Sequence, residues 1–142
     1  MVELTGEELR EGNNQLGGIR IWYWIDSILI FINILSSIFY IFYLPFIYTM
    51  YLRMGIDLEQ IIPSRIFTLF IIFGIIINLL LLALLIVALI GIKKRSSYSV
   101  PLGRAILILT MLNVPVGTII GAVLWGRLSH PAAQKYLNYR VQ

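Results

Sequence analysis

Residues 66–92, from Ile66 to Ile92, read IFTLFIIFGIIINLLLLALLIVALIGI. No charged side chain interrupts them, and only Thr68 and Asn78 are distinctly polar. The hydrocarbon core of a bilayer is roughly 30 Å thick and a helix rises about 1.5 Å per residue, so about 20 apolar residues make a crossing. The run is far too long for a strand and does not alternate. Two more stretches share its character, Ile21 to Leu52 and Ala105 to Trp125. The sequence therefore predicts an all-α integral membrane protein with three apolar helical segments.

The first of these runs is too long for one straight crossing, since its roughly 32 residues would reach about 48 Å as a helix. Pro45 lies inside it, and proline removes an amide donor and clashes with the preceding turn. The expected division is a membrane helix from Ile21 to Leu44 and a short interfacial helix from Pro45 to Met54. Tyr40, Tyr43, Tyr48 and Tyr51 suit a headgroup-level belt at that end, and Trp22, Tyr23 and Trp24 suit one at the other. Ahead of this run, Thr5 and Glu8 fit a capping box and Leu4 with Leu9 a hydrophobic staple. Gly17-Gly18 is expected to break that helix before the membrane, leaving a capped piece at the interface. The acidic, polar start does not fit a cleaved signal peptide. Between the first two runs, Asp57 and Gln60 are placed to cap a turn holding Leu58, Ile61 and Ile62, and Ser64 to cap the second span. The expected organisation is a polar segment over 1–20, a membrane domain over 21–128 with spans near 21–44, 66–92 and 105–125, and a basic tail over 129–142.

Composition narrows the function classes. Of 142 residues, 59% are hydrophobic and 13% charged, against about half and a quarter in soluble domains, so a water-soluble fold is not expected. The absence of cysteine removes disulfides, thiolate metal sites and cysteine nucleophiles. One histidine, His130, stands beside Ser129 and Pro131 without the third group a catalytic triad needs. No zinc-protease, phosphate-loop or nucleophile-elbow motif is present. Neither an enzyme nor a bound cofactor or metal is expected. The net charge of +4 is modest and clusters at span ends, which suits anionic lipid and not nucleic acid.

Lys93, Lys94, Arg95 and Arg104 carry the strongest charge signal and no acid between them. Basic span flanks favour the cytoplasm, so the 93–104 loop and the N-terminus are placed there, in a cytoplasmic (inner) membrane. Three plain crossings would leave Arg127, Lys135 and Arg140 outside, against the same rule. The conflict centres on Asn113-Val114-Pro115-Val116-Gly117. One kinked crossing is compatible with the tolerance of membrane helices for proline. A re-entrant hairpin at Pro115 would return the tail to the cytoplasm, with two half-helices too short to span. Length weighs toward the crossing and charge toward the hairpin, and both stay open at this point.

Polar residues inside the runs are the candidate site. Asp26, Asn33 and Ser37 are spaced to share a helix face. Gly74 and Asn78 lie one turn apart. Thr110, Asn113, Gly117 and Gly121 form a stripe in which the two glycines make a GxxxG. Two uses are consistent with them: packing against other helices, or a polar pathway from Asp26 and the three asparagines. The first use belongs to a non-catalytic accessory or structural subunit in a larger membrane complex, the second to a small homo-oligomeric channel or carrier. The expected partners are the lipid bilayer and other membrane subunits or copies of the chain.

The segment Gly91-Ile92-Lys93-Lys94-Arg95, then Asn113-Val114-Pro115-Val116-Gly117-Thr118-Ile119-Ile120-Gly121, then Leu124-Trp125 and Ser129-His130-Pro131, resembles the C-terminal half of small uncharacterised prokaryotic multi-span membrane proteins. They show a basic loop followed by N-x-P-x-G-T-x-x-G, a Leu-Trp pair and a Ser-Pro. Here Gly126-Arg127 stands where that pattern is more apolar, and His130 intervenes before Pro131. The resemblance covers the last 50 or so residues and implies a multi-span protein with a special third segment, without implying an activity.

Overall fold

A computed structural model describes residues 4–111 and 116–138. Among the described residues there are helices and no strands: α1 (Gly6–Arg53), α2 (Leu58–Ile61), α3 (Ser64–Lys93), α4 (Ser99–Met111), α5 (Val116–Ser129) and α6 (Pro131–Tyr136). α1 and α3 are long and apolar enough to cross a membrane. Only 11% and 6% of their most apolar windows are buried by the chain itself, so they are not core helices of an ordinary globular fold.

The start of α1 forms the expected capping box. The Glu8 amide donates to Thr5 Oγ1 at 3.3 Å and the Thr5 amide to Glu8 Oε2 at 3.1 Å. The expected break at Gly17-Gly18 does not occur, and the helix runs through it. Each glycine costs a helix about 1 kcal/mol relative to alanine, but Leu16 and Ile19 on either side are fully buried and hold the backbone in register. Pro45 likewise lies inside α1, so no separate interfacial helix begins there. Proline removes one hydrogen bond from a helix that is apolar on both sides of it. Four residues on, Thr49 Oγ1 donates to the Pro45 carbonyl at 2.8 Å. The helix ends instead at Gly55, whose φ of +81° suits glycine. There the Ile56 amide returns to the Tyr51 carbonyl and the Gly55 amide to Leu52, the double closure of a Schellman motif.

Asp57 caps α2 as expected, accepting from the Glu59 amide at 3.1 Å. Ser64 differs from expectation. It is the first residue of α3, and it is capped by Glu59, whose carboxylate accepts from the Ser64 amide at 3.0 Å and its hydroxyl at 3.1 Å.

The chain divides into two compact units, and α1 and α3 contribute to both. The unit Ile28–Leu82 holds the larger part of the two long helices. Along α1 its shielded positions include Ile30, Ile34, Ser37, Ile41, Leu44, Tyr48 and Tyr51, at alternating spacings of four and three, with Ile47 beside Tyr48. Along α3 they include Ser64, Thr68, Ile71, Ile75, Asn78 and Leu82, at the same alternation. A 3.5-residue repeat keeps one seam on one side of a gently supercoiled helix. The Tyr48 hydroxyl donates to the Ile62 carbonyl and ties α1 to the connection before α3.

The other unit takes residues up to Ser27 and from Ala83 onward. Its core is Leu16, Ile19, Tyr23, Leu85, Ile92, Val100, Leu107, Leu128 and Leu137, all essentially inaccessible. The third apolar run is here two helices, α4 and α5, that pack on one another. A Cβ on Gly103 would lie 2.8 Å from Leu128, and one on Gly121 would lie 2.5 Å from Met111 and 3.2 Å from the Leu107 carbonyl. Early α4 therefore meets late α5 and late α4 meets early α5, so the pair is antiparallel. The Thr118 hydroxyl closes the pair, donating to the Met111 carbonyl at 2.9 Å. A single continuous crossing over 105–125 is thereby replaced by a helical hairpin. Its arms of 13 and 14 residues reach only about 20 Å each. Asn113 and Pro115 lie outside the described residues, so the expected kink or turn at Pro115 does too.

The glycines of α1 make the packing testable. A Cβ on Gly12 would lie 2.6 Å from Tyr136 Cβ and 2.7 Å from the Ala132 carbonyl, whereas Gly17 has nothing within 4 Å. Gly12→Ala should lower stability by about 1–3 kcal/mol through overpacking, and Gly17→Ala should raise it by about 0.5–1 kcal/mol. Thermal unfolding of the two variants in detergent measures both.

Candidate functional site

The polar residues of the apolar runs are divided between the two units. In the unit Ile28–Leu82, Asn33 is exposed, Ser37 is part-shielded on the seam, and Asn78 donates through Nδ2 to the Gly74 carbonyl at 2.8 Å. Gly74 thus serves as the acceptor for Asn78 and has no neighbour within 4 Å of a Cβ position. In the other unit, Thr110 is buried and donates back to the Ile106 carbonyl at 3.0 Å. Gly117 and Gly121 are buried, and Gly121 packs on α4. Asp26 is half-shielded and makes no ion pair among the described residues. Its neighbour Ser27 donates to the Tyr23 carbonyl at 2.7 Å. Asn78 and Thr110 therefore bond the backbone of their own helix one turn back. Such back-bonding gives a polar side chain a partner inside its own helix.

The structure assembles a different cluster, in the unit that holds both ends of the chain. α6 lies along the start of α1: Lys135 Nζ is 2.9 Å from Glu8 Oε1, and His130 Nε2 is 4.0 Å from Glu11 Oε1. His130 itself is the N-cap of α6, its Nδ1 accepting from the Ala132 amide at 3.3 Å with Pro131 in the first turn. This is a structural use for the chain's one histidine. Arg20 folds back along α1, as helical side chains do, and its guanidinium donates to Asn13 Oδ1 at 2.9 Å. Arg95 places its guanidinium 4.7 Å from the centroid of the Tyr136 ring, a cation–π contact. Burial pushes the Tyr136 phenol up, but hydrogen bonding and charge from Arg20 and Arg95 outweigh it and bring it below its usual range.

Arg104 lies 5.7 Å from the Trp125 ring centroid. Arg127 lies against Gly18, where a Cβ would come within 2.5 Å of its Nη1. Lys93 and Lys94 are exposed at the end of α3. Two buried nitrogen donors, Trp22 Nε1 and Arg104 Nε, have no partner among the described residues.

Of the basic residues flagged from sequence, Arg95 and Arg104 are thus engaged with aromatic rings. Arg20, Arg127 and Tyr136 belong to the same unit; in the sequence Arg127 counts only toward the sidedness of the tail. The available signal was charge alone, since Arg20 and Arg127 sit at the ends of apolar runs. Tyr136 gives no signal, because its neighbours come from positions 41 and 116 residues away in the chain. No cluster of three or more potential metal ligands occurs among the described residues. The chain matches no protein-family model, no curated protein and no solved structure.

The Glu8–Lys135 contact predicts a pH dependence. The Lys135 ammonium, then the Thr5 amide, hold the Glu8 carboxyl below its ordinary value of 4.5. A carboxylate depressed on folding stabilises the fold above its unfolded pKa, and that contribution is lost as the pH falls through the folded value. Glu8→Gln should therefore be slightly less stable than the parent at neutral pH, with the difference closing as the pH falls below the ordinary carboxylate value of 4.5 and through the lowered folded value. Thermal melts across that range measure it.

Proposed function

We propose that the chain is a non-catalytic accessory or structural subunit that packs within a larger membrane protein complex. One observation carries this reading. The long helices leave wide apolar faces uncovered, with Phe42 78% and Phe70 70% exposed, while Asn78 and Thr110 are satisfied within their own helices. Such faces require lipid or other apolar helices around them. α1 and α3 are the crossings, and the α4–α5 hairpin re-enters from the cytoplasmic side of an inner membrane. That arrangement puts the N-terminus, the 93–104 loop and the basic tail on one side, which the distribution of Lys and Arg favours. It also meets the charge conflict that three plain crossings create.

A second reading keeps one specific observation. Asp26 is half-shielded and unpaired among the described residues, and an acid at such a depth is a reasonable ion site. On that reading the chain is a homo-oligomeric channel or carrier. Asp26→Asn and Asn113→Leu would then reduce liposome flux without disturbing assembly.

Gentle extraction from the native membrane followed by native mass spectrometry separates the two. The accessory reading expects larger, different chains at fixed ratio; a closed ring of identical chains contradicts it. The topology is tested independently, because the chain has no cysteine of its own. Single cysteines at Ser97 and Asn138 should react with a membrane-impermeant maleimide from the cytoplasmic side only, and one at Asp57 from the opposite side. Labelling of positions 97 and 138 from opposite sides would remove the re-entrant hairpin.

A further inference from the structure

Arg95 occupies a backbone conformation that argues against its being an incidental surface residue. It closes α3 with φ of +53°, in the left-handed region that glycine fills without strain. The closure is a Schellman motif, the Ser96 amide returning to the Gly91 carbonyl at 2.9 Å. Its C′ position is where helices normally place glycine. Asn138 Nδ2 donates to the Arg95 carbonyl at 3.3 Å and fixes it there. The strained residue is thus held in place from a distant part of the chain, as happens where a side chain is needed at one point. What the side chain reaches is the face of the Tyr136 ring, 4.7 Å from its centroid. Arg20 comes toward the same side chain from α1: its guanidinium sits on Asn13, next to Gly12, where a Cβ would lie 2.6 Å from Tyr136 Cβ. Two guanidinium groups, on α1 and after α3, thus lie about one side chain, Tyr136, and lower its phenol against the effect of burial. Among the described residues Glu8 is paired with Lys135 and Glu11 lies 4.0 Å from His130, and neither contact supplies an acid to this pair. Planar guanidinium donors with unmet positive charge are suited to the oxygens of a phosphate, which they bind bidentately.

We propose that Arg20, Arg95 and the Tyr136 hydroxyl form a binding site for a phosphate oxyanion, supplied by the headgroup of an anionic phospholipid. The choice of lipid as the source rests on the membrane reading above. Arg20 directly precedes the apolar run that opens with Ile21-Trp22, and Arg95 follows the one that ends at Ile92. Both guanidiniums therefore stem from the ends of apolar spans, at the depth where headgroup phosphates lie. Tyr136 contributes its hydroxyl beside them, donating to the phosphate while the guanidiniums clamp it. Asn13 holds Arg20 back along α1 and acts as a positioning residue.

The test uses the full chain, delipidated in a neutral detergent. It is titrated with phosphatidylglycerol and with phosphatidylcholine of the same acyl chains, and bound lipid is read by native mass spectrometry. The site expects phosphatidylglycerol to bind about tenfold more tightly, and Arg95→Gly and Arg20→Gln each to remove most of that preference. Arg95→Gly is chosen because glycine relieves the positive φ. Its lipid-free melting temperature should equal or exceed the parent's, so lost binding cannot be lost folding. Equal affinity for the two lipids, or a preference that survives both substitutions, overturns the proposal. Inorganic phosphate forms the third arm. If millimolar phosphate fails to displace the lipid, the lipid source stands. If phosphate binds in an Arg95-dependent way and neither lipid is preferred, the lipid source falls while the oxyanion site remains. That last outcome counts against the headgroup depth assigned here and leaves the subunit reading to its own measurement.

Discussion

Tyr23, Gly103 and Leu128 meet at the contact on which the unit containing both chain ends depends. The Tyr23 hydroxyl donates to the Gly103 carbonyl at 3.4 Å, and Leu128 fills the space that a Cβ at Gly103 would need. Tyr23 and Leu128 are both fully buried. The absent side chain of Gly103 lets α4 approach α1 and α5 at one point, and close packing of this kind is what holds helices together where water does not drive association. Gly121 repeats the device at the other end of the α4–α5 pair. Once α4 and α5 are antiparallel, Arg104 and Arg127 are brought to the same end of the hairpin. α6 can then return along α1, where Lys135 meets Glu8 and Tyr136 packs on Gly12.

The basic end of this unit follows from that folding back. In a straight third crossing, Arg127 and Lys135 would be separated from Arg104 by the length of the run. Folded back, they share a unit with Arg20 and Arg95, and the aromatic rings of Trp125 and Tyr136 lie under two of the guanidiniums. Unpaired surface charge is ordinarily weak in water because it is screened and solvated. At the boundary of an anionic membrane such charge can act as a recognition surface, which is how the folding of the third run bears on the proposed headgroup site. The long helices contribute differently. Their 3.5-residue seam consumes one face of each and leaves the remaining circumference apolar, on helices long and apolar enough to cross a membrane.

Helix content and the existence of the three apolar runs were legible in the sequence, because length and unbroken hydropathy decide them locally. The capping box at Thr5 and Glu8 was legible for the same reason. Three local readings failed where wider context overrode a local rule. Gly17-Gly18 reads as a break, yet the neighbouring Leu16 and Ile19 are locked into a core assembled partly from residues beyond position 83. Pro45 reads as a helix end, yet one missing hydrogen bond does not outweigh continuation of an apolar helix. Ser64 reads as a cap, but Glu59 reaches it from α2. The antiparallel pairing of α4 and α5 was one of two alternatives. Charge favoured it and length did not, and the glycines that settle it are matched to partners only in three dimensions. The cluster at Tyr136 was illegible, since nothing near it in sequence names Arg20 or Arg95.

The central claim is that the third apolar run folds back on itself, and one distance decides it. Ala105 and Gly126 are both exposed and lie on opposite arms, close to the Gly103–Leu128 contact. Spin labels at cysteines introduced there, in the full chain reconstituted into lipid nanodiscs, report their separation by double electron–electron resonance. Packed antiparallel helices lie about 8–10 Å apart axis to axis, so a distribution centred at about 10–20 Å is predicted. A continuous helix would separate the two positions by about 31 Å, and a distribution centred there would contradict the account.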